Sequence, residues 1–140
     1  TERIITASAK IKVQIVESDV FENGDRKLLN FGHTLGHAIE KLTGMLHGEA
    51  VAIGMVLAAR LSVNLGFLAS EEASKLEKLI ESSGLPISTN FDPAEIYDAL
   101  LKDKKRAGDA IHFVLLHSIG SAFVHKLSLD TLKKAIHDLY

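Results

Sequence analysis

The chain has no cysteine in its 140 residues. That excludes a disulfide framework and any thiolate metal site. It is compatible with a reducing compartment, so a cytoplasmic location is expected. A large excess of charge of one sign is also missing. The net charge of −2 leaves no electrostatic footprint for nucleic acid or an anionic membrane, and neither is expected as a partner. No apolar run approaches the ~20 residues that cross a bilayer. The opening TERIITASAKIKVQIVES lacks the apolar core of a signal peptide. It also lacks an initiating Met and reads as mid-helix, so a domain cut from a longer protein is expected.

What is present reads as one domain over residues 1–140. The 46% apolar and 24% charged shares are ordinary for a globular chain able to bury a core. Ile4, Ile5, Ile11, Ile15 and Val16 recur near helical spacing, predicting a helix over 2–17 with Lys12 on its polar face. Asn23-Gly24-Asp25 signals a turn. A second helix is predicted from Phe31 to Leu42, stopped by Gly44. Residues 46–65 are apolar on nearly every side, the mark of a helix at the centre of a bundle, and Gly66 ends them. Ser70 is predicted to cap a helix whose first turn carries Glu71 and Glu72, with Gly84 and Pro86 beyond its end. Asp92-Pro93 starts another helix, to about Leu101. Residues 111–116 and 122–124 have strand propensity around a Gly-containing turn, predicting a small hairpin. Ser128 or Asp130 caps a last helix to Leu139. The expected fold class is mainly α: a helical bundle domain with a small β-hairpin near the C-terminus.

Seven histidines are present, and His33, His37 and His47 fall close together. His33 and His37 are four apart on the second predicted helix, so they share a face. A helix–turn–helix folds His47 back towards them. Imidazole nitrogens suit zinc, cobalt or iron, completed by a carboxylate or water. Two histidines at this spacing also occur by chance on a surface or in a satisfied core. Gly32 and Gly36 each precede a histidine in what reads as helix, at about 1 kcal/mol apiece relative to alanine. That cost is easier to understand if something approaches the backbone closely, which favours a site; close helix packing is the alternative explanation. Gly48 and Gly54 repeat the pattern after His47.

The wording of these segments is specific. Residues 26–40 read RKLLNFGHTLGHAIE, and residues 46–56 read LHGEAVAIGMV. Together they closely resemble the signature of the 3-dehydroquinate synthases, and the resemblance runs from about Lys12 to Ile119-Gly120. It implies that His33 and His47 bind a divalent metal, Zn2+ or Co2+, with a glutamate from a segment outside this chain. It implies acid–base and substrate-contact roles for His37, and a proton-acceptor role for Glu22. Lys12, Arg26, Asn30 and one of the pair Lys104-Lys105 match substrate-binding positions. Glu49 does not match the family ligand and is assigned to the dipole of its helix N-terminus. The implied reaction is metal- and NAD-dependent conversion of 3-deoxy-D-arabino-heptulosonate 7-phosphate to 3-dehydroquinate and phosphate, in the shikimate pathway. The implied partners are that sugar phosphate and, in the parent enzyme, a second copy forming a homodimer.

The nearest rival readings are another sugar-phosphate cyclase and a polyol dehydrogenase domain. The rival from a different class is a non-catalytic metal-binding helical module. No G-x-G-x-x-G follows a predicted strand and no βαβ unit is visible, so NAD is expected on an N-terminal domain that this chain lacks. The 140-residue chain alone, given NAD and zinc, is therefore expected to bind metal weakly and to show no turnover; turnover above background contradicts that division of labour.

Overall fold

A computed structural model describes residues 2–19, 24–90, 92–104 and 110–139. Helix α1 (Glu2–Ser18) leads through a 3₁₀ segment (Asp25–Asn30) into α2 (His33–Thr43) and α3 (His47–Asn64). Helices α4 (Ser70–Ser82) and α5 (Pro93–Lys104) follow, then strands β1 (Ala110–Ser118) and β2 (Ser121–Ser128), and α6 (Leu129–His137). The strands pair antiparallel from Ala110–Ser128 to Ser118–Ser121, with an irregularity between Leu116 and Ser118. This is the expected helical bundle with a hairpin. Among the described residues, no helix is long and apolar enough to cross a membrane.

Helix α3 is the centre. It buries Ala50, Ile53, Leu57 and Leu61 against α2, α5, the hairpin and α6. Its other side buries Ala52, Val56 and Ala59 against Leu68, Leu76, Ile80 and Leu116. Small residues around the helix let neighbours approach on every side. Ser62 is its one fully buried polar side chain among the described residues. Its hydroxyl donates to Ala58 O at 2.7 Å and accepts from Leu116 N–H at 3.1 Å, tying β1 to α3 without an unpaired group. The hairpin turn is held from outside, where Ile119 N–H donates to Glu72 Oε2 at 2.9 Å.

The contact that sets the rest is between α2 and α3. A Cβ on Gly54 would collide with Gly32 O, and would stand 2.7 Å from Gly36 N. A Cβ on Gly36 would lie 3.0 Å from Val51 Cα. Backbone therefore meets backbone, and the glycines serve helix packing. Gly32 is not inside the helix, as its sequence setting suggests, but is its N-cap at φ +80. Gly48 belongs to no such contact, since a Cβ there meets nothing within 4 Å.

The other differences are local. Ala69 occupies the N-cap of α4, because the Ser70 hydroxyl turns to Glu71 Oε2 at 3.3 Å instead of to a backbone N–H. Both strands extend past their predicted ends, and α5 continues to Lys104. Ser128 caps α6 as expected, accepting from Thr131 N–H at 3.3 Å.

Overpacking the glycine contact should be costly. Gly54→Ala is expected to lower unfolding stability by about 1–3 kcal/mol in urea melts. Gly48→Ala, in open space, should stay within about 1 kcal/mol, on the stabilising side. Equal stability of the two variants would show that the backbone contact does not hold α2 to α3.

Candidate metal and substrate site

Three side chains come together where α2 and α3 meet. His33 and His37 stand one turn apart on α2. Gly44, at φ +68, closes that helix by donating its N–H to Glu40 O at 2.9 Å. Three residues later α3 starts at His47, so the tight turn returns that side chain to the His33–His37 face. The imidazole centroids form a nearly equilateral triangle of 5.5, 5.6 and 5.6 Å.

Each outer imidazole is held by one nitrogen. His33 Nδ1 lies 3.3 Å from Phe31 O, a carbonyl that can only accept, so the ring donates there. His47 Nδ1 lies 3.0 Å from Glu40 Oε2. That hydrogen bond is the main cause that lowers the Glu40 pKa below 4.5, so the carboxylate is ionised near neutrality and the ring donates again. With Nδ1 donating, the nitrogen of each ring left to offer a lone pair is Nε2, one of the two imidazole nitrogens that ligate divalent metals. The donor set thus fits a hard-to-borderline cation.

His37 is exposed, yet its pKa is lowered from 6.5. Loss of water around the ring is the largest cause, followed by the positive charge that His33 and His47 carry when protonated. It is therefore neutral at pH 7 and able to accept a proton. His37, Glu40 and His47 also have one donor atom each within 4.8 Å of one another, a second grouping able to hold an ion. Sequence reasoning missed Glu40. Its spacing was a signal: it stands three residues after His37 and seven after His33, on the same helical face.

The remaining expected site residues are placed less tightly. Arg26, half-buried, and Asn30 lie on the 3₁₀ segment just before α2. Asp19 fixes the start of that segment, its Oδ2 accepting from Gly24 N–H at 2.7 Å and Arg26 N–H at 3.1 Å. Lys12 is exposed on α1, a helix with no buried residue that packs against the 3₁₀ segment. Lys104 ends α5, with its side chain outside the described set. Glu22 and Lys105 lie outside the described residues. Glu49 sits in the first turn of α3, as a dipole role requires.

Known proteins share this arrangement of segments. The family described as "3-dehydroquinate synthase C-terminal" matches residues 1–106. The chain is 43% identical over 135 residues to the 3-dehydroquinate synthase of Pelobacter propionicus, covering 94% of this chain and 38% of that protein. It is 48% identical over 126 residues to the Dehalococcoides mccartyi enzyme of the same name, covering 88% of this chain and 35% of the relative. It thus spans between a third and two-fifths of these relatives. Among solved structures it is similar to a 2-deoxy-scyllo-inosose synthase complexed with carbaglucose-6-phosphate, NAD+ and Co2+, at TM-score 0.80 and 25% identity, covering 98% of this chain and 40% of that one. A 2-epi-5-epi-valiolone synthase from Streptomyces hygroscopicus, with NAD+ and Zn2+ bound, shares the fold at TM-score 0.78 and 23% identity, covering 98% of this chain and 39% of that one.

The lowered His37 pKa has a signed consequence. Metal-free protein should lose stability as pH falls from 6.5 towards the folded-state pKa, because the unfolded chain takes up the proton first. Urea melts across that window in chelator should show the decline, and His37→Asn should reduce it. A decline that His37→Asn leaves unchanged would assign it to other groups.

Proposed function

The chain belongs to the 3-dehydroquinate synthase family through its C-terminal segment, and from that premise we propose that it supplies the metal and substrate contacts of such a synthase. The reaction proposed for the whole protein converts 3-deoxy-D-arabino-heptulosonate 7-phosphate to 3-dehydroquinate and phosphate. The observation that carries this reading is the imidazole triangle built from the two signature segments.

In this reading His33 and His47 hold the metal through Nε2, zinc or cobalt, with a glutamate from outside the chain. When bound, the metal supplies Lewis acidity at the hydroxyl being oxidised, and NAD stores the hydride. We assign NAD to a separate N-terminal domain, since the described strands form one antiparallel hairpin with no parallel crossover for a dinucleotide.

The chain's own groups do the rest. His37, neutral above its lowered pKa, accepts and returns protons beside the metal. Glu22 takes a second proton-acceptor role. Arg26 presents a two-pronged donor to a carboxylate or phosphate, and Asn30 one donor and one acceptor. Lys12 and one of Lys104 and Lys105 complete the cationic side, which suits a substrate carrying both anions. A homodimer and a cytoplasmic location belong to the same proposal.

A second reading, a cyclase for another sugar phosphate, is favoured by the overlay on the inosose synthase at TM-score 0.80. The identities of 43% and 48% to dehydroquinate synthases, against 25%, weigh for the first. The full-length protein, assayed for phosphate release with NAD and metal, should act on the heptulosonate phosphate and not on hexose 6-phosphates. Preference for a hexose phosphate would establish the second reading. In the same assay His37→Ala should reduce kcat by roughly 10²–10⁴-fold while metal stays bound; wild-type kcat would remove His37 from proton transfer.

A further inference from the structure

We propose that Glu40 is a positioning residue that orients His47 for the metal; this rests on the assignment of His33 and His47 as ligands. The Glu40 carboxylate accepts from His47 Nδ1–H at 3.0 Å, across the turn between α2 and α3. That bond selects one tautomer and one ring orientation, with the Nε2 lone pair facing away from Glu40. His33 is held in the same sense by Phe31 O at 3.3 Å. The two proposed ligands are thus matched, one fixed by backbone and one by a side chain from the neighbouring helix.

The difference between them gives Glu40 its importance. His33 is oriented by its own chain two residues away, with Gly32 turning the backbone between them. His47 is the first residue of α3, and its side chain is 53% exposed. Packing does little to fix so open a ring. Glu40 is itself 37% exposed, so the pair adds little to folding stability, and its effect falls on geometry and ligand basicity.

A competing role for Glu40 is direct ligation, because His37, Glu40 and His47 can present donors within 4.8 Å of each other. In that arrangement a Glu40 oxygen would bind the metal itself. The two roles respond differently to an isosteric amide. The glutamine of Glu40→Gln still offers an oxygen to His47 Nδ1–H, but is a poor metal ligand.

Co2+ titration of the metal-free full-length protein, read by visible absorption and by competition with a chelator, separates them. Glu40→Ala should weaken Co2+ binding by roughly 10–100-fold. Glu40→Gln should recover most of that loss and keep the wild-type band positions, with urea midpoints unchanged in both. Equal weakening of both variants with shifted bands would make Glu40 a ligand and overturn the proposal. Wild-type affinity in both variants would also overturn it. His33→Ala and His47→Ala are the reference: if neither weakens Co2+ binding, the metal assignment itself has failed, and the Glu40 role falls with it.

Discussion

Two helices meet without a side chain between them, and the rest of the site depends on that contact. Gly54 lies against Gly32 and Gly36, so α2 and α3 approach to backbone distance. Any larger residue at these positions would push the helices apart by the width of a methyl group. Three imidazoles within 5.6 Å of one another, carried by both helices, would not keep that spacing through such a shift. The glycines therefore act on the imidazole cluster through packing.

Electrostatics follow from the same crowding. At His37 the loss of water around the ring is the first cause that disfavours protonation, and the neighbouring His33 and His47 add to it. Glu40 adds a negative charge at the edge of the cluster, where it accepts a hydrogen bond from His47 Nδ1. The result is a neutral His37 next to an ionised carboxylate. The buried Ser62 bonds at the far end of α3 and the two-sided apolar core keep that helix in place, so its first residue can carry an exposed imidazole.

Much of this was legible in the residues. Helix α3 announced itself because it is apolar all round, and the structure buries it on all sides. Gly44, Gly66 and Gly84 marked real helix ends, each at positive φ. The hairpin was under-read because Phe113 to Leu116 are buried on both faces and do not alternate, while His125 and Lys126 mask the continuation of β2. The glycines before the histidines were legible as a cost but not as a cause, since their partners lie some twenty residues away on α3. Glu40 escaped notice because its role needs His47, which only the turn at Gly44 brings alongside. The assignment of His33 with His47, and not His37, came from the family signature; helical spacing alone pairs His33 with His37.

The most direct measurement is anomalous diffraction from crystals of the full-length protein loaded with zinc. One peak is expected within bonding distance of His33 Nε2 and His47 Nε2, with His37 outside the coordination shell and Glu40 still bonded to His47 Nδ1. A peak coordinated by His37, Glu40 and His47 would contradict it.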